Sequence, residues 1–282
     1  MLDTGWMRIV AWNGNWKSKR STVEAQVAAV CALHADVAIF SEWSPNETRK
    51  IKGGATRRSS TYLRGALLDA AGFPFQCSEH ESNHQAMDDI RRLYWGQLAA
   101  ATRPIVKAST VPPTFAAGSW LEFRHAESDL TLIGVRLPDW QSPLTGLRRD
   151  LWEWMVEQFD RLAGEQAIVM GDFNTWIDYG SSTKDRRHGS DHLRSLTALR
   201  GWQDPYAVLG RAAEPTYFFG TAQRRLDYAF VSPAFTGSVE GIQAPCVVGD
   251  VVMSGPAKSA ANEPTVALSD HAPLVLDVSP TG

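Results

Sequence analysis

The stretch IVMGDFNTW (168–176) ends an apolar run on a glycine and then places Asp172 and Asn174 two positions apart. Successive side chains of a strand alternate faces, so residues at i and i+2 share one. An acid and an amide paired at a strand's carboxyl end stand where α/β sheets bind ligands. Other apolar runs end in the same way. IVAWNGN closes on Asn13 and Asn15, and VAIFSEW closes on Glu42. RRLDYAFVS sets Asp227 within an otherwise apolar strand, and LSDHAPLVLDV opens on adjacent Asp270 and His271. Such groups are costly to bury unless paired, protonated or bound to a cation. Hard oxygen donors of this kind suit Mg²⁺ or Mn²⁺ and do not suit zinc, which prefers His and Cys. A histidine held by a carboxylate can bind a phosphate or assist proton transfer. The chemistry these residues share is metal-assisted phosphoryl transfer.

The elements that must position them are legible as apolar runs of strand length at 7–12, 36–40, 96–102, 130–137, 166–173, 226–232 and 272–278. Between the first two lies STVEAQVAAVCALH, where Ser21 and Glu24 have capping-box spacing and Val23, Val27, Val30 and Cys31 follow a helical period. LRRDLWEWMVEQFDRLAG predicts a second helix closed by Gly164, and residues 191–199 predict a third. Strands alternate with helices early and follow one another directly around 96–137. This mixture predicts a mixed sheet, or two packed sheets flanked by helices, within one domain spanning 1–282. The stretches 108–119 and 180–190 read as loops.

Composition narrows the class. The chain has 282 residues, 44% hydrophobic and 21% charged, with net charge −3, which argues against a basic protein that coats nucleic acid indiscriminately. Three widely spaced cysteines form neither a disulfide framework nor a metal motif, which favours a reducing compartment. The start lacks a basic region followed by an apolar one, and no apolar run reaches the roughly 20 residues of a membrane helix. A cytoplasmic protein with no membrane contact is the expectation.

The pieces AWNGN, IFSEW, GDFN, RRLDYAFVS and SDHAPLV, in that order, resemble the motifs of the endonuclease/exonuclease/phosphatase superfamily. That group includes abasic-site endonucleases similar to exonuclease III, pancreatic-type deoxyribonucleases, inositol polyphosphate phosphatases and neutral sphingomyelinases. The resemblance implies a DNase I-like fold, a four-layer α/β/β/α sandwich of two packed mixed sheets with its site at one edge. It also implies roles. Glu42 matches the principal metal ligand, while Asn13 and Asn15 match the first motif's polar positions. Asp172 matches the residue that orients or deprotonates the attacking water, and Asn174 matches its phosphate-contacting partner. Asp227 matches the acid that holds the catalytic histidine, His271, and Asp270 lies near a possible second metal position. One position departs. Arg136, in LIGVRLPDW, stands where the family carries His or Tyr. Arginine cannot release a proton near neutral pH, but its fork of donors suits charge on the phosphoryl or leaving group.

Basic residues flank these motifs. RKIKGGATRRSSTYLR (49–64) holds Arg49, Lys50, Lys52, Arg57, Arg58 and Arg64, while Lys184, Arg186, Arg187 and His188 follow GDFN, and Arg224 and Arg225 precede Asp227. Runs of this kind are commonly solvated loops, but beside converging motifs they suit a polyanion bound on one face. Trp43 and Trp176 are the tryptophans placed to stack on a base or sugar, against a default of core packing for all eleven. His188 and His192 have the spacing of half a zinc site but no cysteine pair. The expected activity is Mg²⁺- or Mn²⁺-dependent hydrolysis of DNA or RNA phosphodiester bonds by water activated at Asp172. The alternatives are a phosphomonoesterase acting on inositol phosphates or nucleotides and a non-catalytic nucleic-acid-binding module.

Overall fold

The computed structural model describes residues 5–14, 20–43, 49–50, 56–57, 60–79, 96–110, 112–113, 118–138, 145–177, 189–212, 214–219, 221–254 and 267–280. In chain order the first elements are β1 (Met7–Asn13), α1 (Arg20–Ala32), β2 (Val37–Trp43), β3 (Arg49–Lys50), β4 (Thr56–Arg57) and α2 (Ser60–Ala70). Then come β5 (Phe75–Glu79), β6 (Gly96–Ala101), β7 (Ile105–Lys107), β8 (Trp120–His125), β9 (Leu130–Arg136), α3 (Thr145–Leu162) and β10 (Ala167–Asp172). They are followed by α4 (Ser190–Ala198), α5 (Pro205–Val208), β11 (Tyr217–Phe219), β12 (Ala222–Arg224) and β13 (Asp227–Val231). The last are β14 (Ser238–Gln243), β15 (Val247–Val248), β16 (Val251–Val252) and β17 (Leu274–Ser279).

Two sheets carry the structure. One has six strands in the order β14-β17-β1-β2-β6-β5, and the other has five in the order β13-β10-β9-β8-β7. Each contains one parallel pair, β1 with β2 and β9 with β10, among otherwise antiparallel neighbours. Each parallel pair is joined through a helix, α1 in the first case and α3 in the second. The protein is therefore built on two β-α-β units whose strand ends meet at one edge.

Strand parity explains the layers. Ile9, Ala11, Ile39, Leu132, Ile168, Met170, Ala229 and Leu274 face the other sheet and form the central core. The alternate residues Val10, Ala38, Phe40 and Val275 pack instead with helix α1 through Val27 and Val30, and with α2 through Leu68. On the far side Val169, Val135 and Phe230 pack against α3 and α4 through Trp152, Met155, Phe159 and Leu196. Full burial of each such large side chain contributes about 1.5–3 kcal/mol. Helix, sheet, sheet and helix thus form four layers, as the family resemblance implies.

The expected strands and three helices are present with ends shifted by a few residues. Four strands of the two sheets, β5, β7, β8 and β14, and two helices, α2 and α5, were not read from the sequence. Helix α2 begins inside the basic stretch 49–64, which corrects the expectation that Arg64 joins the residues meeting a polyanion. Arg64 lies on its inner face, 2% exposed, and donates from Nη2 to Gln26 Oε1 at 2.6 Å. Burial lowers its pKa to about 10. It does not face a substrate.

Candidate active site

Strand register lines up the acids. In the five-stranded sheet Asp172 pairs with Arg136 on one side and with Asp227 on the other, so the three residues form one row across β9, β10 and β13. All three continue the columns that face the central core, through Leu132, Ile168 and Met170, and Ala229. Asn13 ends the corresponding column of β1, after Ile9 and Ala11. Where these columns reach the sheet edge, apolar residues give way to polar ones.

Glu42 breaks that parity. Ala38 and Phe40 face α1 and α2, so an undistorted strand would send Glu42 to the same side. The register between β2 and β6 slips between Phe40 and Trp43, and Glu42 takes a left-handed backbone, φ 59°. Its carboxylate is thereby turned toward the facing sheet. Left-handed backbone costs a non-glycine residue about 1 kcal/mol or more and clusters at functional sites. Asn174 is the second case here, at φ 46°.

The polar atoms form one network. Asn13 Nδ2 donates to Asp172 Oδ2 at 2.9 Å and to Glu42 Oε1 at 3.2 Å. Arg136 Nη2 donates to the same Glu42 oxygen at 2.9 Å. Asp172 also accepts from Asn174, from the backbone N–H at 2.8 Å on Oδ1 and from Nδ2 at 2.9 Å on Oδ2. Asp172 and Asn174 therefore do converge, but through an Asx turn beyond the strand rather than through the i, i+2 alternation expected of a continuous strand. The preceding glycine has a structural reason. Gly171 sits at φ 141°, and a Cβ there would fall 2.2 Å from the carbonyl oxygen of Val135. Only glycine lets β10 lie this close to β9 at the level of the site.

His271 enters just before β17. Its Nδ1 donates to Asp227 Oδ2 at 2.9 Å, and that oxygen also accepts from Thr216 Oγ1 at 2.7 Å. Trp12 Nε1 donates to the His271 backbone carbonyl at 2.8 Å, and Ser269 Oγ donates to that of Asn13 at 2.7 Å. The end of β1 thus holds the histidine loop in place. Burial alone would lower the His271 pKa, but the charges of Asp227 and Asp172, the hydrogen bond to Asp227 and the charge of Asp270 together raise it to about 10. The imidazole is cationic at neutral pH. Burial raises Asp172 to about 7, with the nearby His271 charge opposing, Asp227 reinforcing, and Arg136 and Asn13 opposing the rise.

Carboxylate oxygens of Asp172 and Asp227 and a ring nitrogen of His271 all lie within 4.8 Å of one another. A cationic imidazole whose Nδ1 is spent on Asp227 is a poor cation ligand, so this trio fits a base beside an oriented histidine. The donor set fits a divalent cation better at Glu42. Its Oε1 takes both hydrogen bonds, and Oε2 has none among the described residues. With Asp172 ionised, the carboxylates of Glu42, Asp172, Asp227 and Asp270 exceed the charges of Arg136 and His271 by two, which a divalent cation balances.

The profile of the Endonuclease/Exonuclease/phosphatase family matches residues 12–271. The chain belongs to this family. The members of this superfamily hydrolyse phosphate-ester bonds and depend on divalent metals. No curated protein matches the sequence. Similar solved structures agree on the fold. A humanized Danio rerio TDP2 superposes with a TM-score of 0.61 at 13% identity, over 97% of this chain and 99% of that one. An endonuclease/exonuclease/phosphatase from Beutenbergia cavernae gives 0.63 at 16%, over 98% and 72%. A 3′ phosphatase NExo from Neisseria, bound to a product DNA hairpin, gives 0.62 at 15%, over 96% and 98%.

The structure of this family member brings together Asn13, Glu42, Arg136, Asp172, Asn174, Asp227 and His271. Asp270 adjoins His271, and its charge acts on that ring. Asn15, Arg58, Arg186, Arg187, Lys184 and His188 lie outside the described residues, as do the side chains of Trp43 and Arg57. Trp176 is half-buried, with the Arg224 guanidinium 4.0 Å over its ring. Arg225 corrects an expectation. It is buried and paired with Asp204 at 2.6 Å, so it braces the fold and does not meet a substrate. His192 stacks on Trp152, with ring centroids 5.4 Å apart, and joins no metal cluster among the described residues. TM-length apolar helices are absent among the described residues.

Two positioning residues escaped the sequence reading. Thr216 holds Asp227 and carries no local signal. Arg148 in α3 donates from Nη2 to the Asn174 carbonyl at 2.8 Å and to Thr175 Oγ1 at 2.6 Å, and from Nη1 to the Pro138 carbonyl. It ties the loop after β10 to the end of β9. A signal for it existed, because Arg148 falls on the helical face of Leu151, Trp152 and Met155.

Proposed function

We propose that this protein is a metal-dependent phosphodiesterase acting on DNA or RNA. The observation that carries the reading is the buried Asp172 carboxylate, held by Asn13 and Asn174 beside a cationic His271. A base raised to about 7 accepts a proton from water more readily than an ordinary carboxylate. Asn13 and Asn174 fix its orientation. Asp227 keeps His271 charged and leaves its Nε2 to face negative charge that develops on a phosphoryl oxygen. Arg136 brings a second fixed cation and takes the place of a proton-donating residue. Glu42, with Asn13 and Asp270, supplies hard oxygens for Mg²⁺ or Mn²⁺. When bound, such an ion contributes Lewis-acid polarisation of a phosphoryl oxygen.

Nucleic acid is favoured as substrate by the basic residues Arg57, Arg58, Arg186 and Arg187 beside the motifs, with Trp43 and Trp176 as stacking surfaces. The Neisseria neighbour bound to a DNA hairpin supports the same class. The test is a panel of end-labelled single- and double-stranded DNA, RNA and an abasic duplex, incubated with Mg²⁺, Mn²⁺ or EDTA beside Asp172→Asn. Cleavage that requires both the metal and Asp172 is the expected result. Phosphate release from small esters without strand cleavage, or binding with no cleavage, would replace the reading with a phosphomonoesterase or a binding module respectively.

A further inference from the structure

Arg136 and Glu42 reach the site from facing sheets, yet they meet at 2.9 Å with side chains only 10% and 11% exposed. The distorted backbone at Glu42 is what brings its carboxylate to the guanidinium. Two positive groups then have a claim on one acid. A divalent cation on Glu42 would sit beside the guanidinium, and their repulsion is weakly screened in a site this buried. A phosphoryl group resolves the conflict, because its oxygens match the planar fork of arginine at least as well as a carboxylate does.

We propose that Arg136 couples the two ligands of this site. In the empty site it rests on Glu42 and holds divalent-cation affinity down. On loading it transfers to a phosphoryl oxygen of the substrate, so that cation and phosphate each promote binding of the other. This rests on Glu42 being the cation's ligand. Reciprocity then requires that the oxyanion tighten the cation by the same factor as the cation tightens the oxyanion. A histidine or tyrosine at this position has no permanent charge to place on Glu42, so the coupling follows from arginine itself.

The experiment measures Mn²⁺ binding by calorimetry and electron paramagnetic resonance, in NaCl and in Na₂SO₄ of equal ionic strength. Sulfate is a tetrahedral oxyanion that no esterase consumes. On the unaltered chain sulfate should tighten Mn²⁺ by about 5- to 150-fold, the usual range of coupling between sites. Arg136→Met should bind Mn²⁺ at least ~10-fold tighter without sulfate and should lose the response to sulfate. Arg136→Gln serves the same purpose if the methionine variant does not fold. Equal Mn²⁺ affinity in variant and parent, or a sulfate response that persists in the variant, overturns the coupling. Glu42→Gln separates the two ideas. If it still binds Mn²⁺ as the parent does, the assignment of Glu42 fails, and the coupling fails with it. If it loses Mn²⁺ while Arg136→Met binds no tighter, only the coupling fails.

Discussion

Asp227→Asn removes one charge and leaves a side chain of the same shape, and its effect should depend steeply on pH. In the parent, Asp227 contributes both charge and a hydrogen bond to raising His271 to about 10 against the lowering effect of burial. An asparagine can still accept from Nδ1, but it cannot stabilise the imidazolium. Asp172 and Asp270 remain, so His271 should settle between about 6.5, its ordinary value, and about 8. At about pH 6 the ring is then mostly charged in both proteins. At about pH 9 it is ~90% charged in the parent and between ~10% and ~0.3% in the variant. The variant-to-parent ratio of kcat/KM should therefore fall by about 10- to 200-fold between those two pH values, equivalent to ~1.4 to ~3.1 kcal/mol. Loss of the Asp227 charge also lowers Asp172, which favours the variant at the acid end and steepens the same trend. The assay is initial-rate cleavage of one labelled oligonucleotide across that range. A ratio that stays flat with pH would show that the charge on His271 does not matter, and the role given to this pair would be wrong.

Three further outcomes are expected. Asp172→Asn should abolish turnover yet respond to pH in stability: the folded pKa, about 7, lies above the ordinary 3.8, so ionising Asp172 weakens the parent as pH rises between those values. That penalty reaches at most ~4 kcal/mol, less the hydrogen bond from one amide that asparagine cannot accept, so the variant should gain relative to the parent in urea unfolding from about pH 5 to about pH 8, and parallel curves would contradict the shift. Gly171→Ala places a methyl 2.2 Å from the Val135 carbonyl oxygen and should cost about 3 kcal/mol or more, read as a lower urea midpoint together with lost activity. Arg148→Met strips the donors from the Asn174 and Pro138 carbonyls and should cost about 3 kcal/mol and roughly 10²-fold in kcat, with urea unfolding and single-turnover rates as the readouts.

Much of the site was legible because strand parity is a local property. Ile9, Ala11 and Asn13 occupy one face of β1, as Ile168, Met170 and Asp172 do on β10 and Val231, Ala229 and Asp227 do on β13. A polar residue ending an apolar column is visible without any knowledge of what lies opposite. Helices α1 and α3 followed from their apolar period in the same way. Helix α2 was obscured because Arg64 occupies a core position on its face, where composition suggests solvent. Arg225 misled for the same reason, and the same kind of burial hid the role of Arg148. Each arginine is buried through acceptors that lie far away in the chain or on other elements.

The sequence by itself determined which strands end in acids and amides, the order of those ends along the chain, and the helices that join the parallel pairs. These follow from periodicities of two and of 3.6 residues, which act over a few neighbours. Only the tertiary structure decided how the ends meet. Asn13 reaches Asp172 across 159 positions, and Arg136 reaches Glu42 across 94, because two separate sheets pack face to face at one edge. Parity alone would have turned Glu42 toward the helices. The slipped register and left-handed backbone that turn it inward are set by pairing with β6, and no rule confined to neighbouring residues contains them.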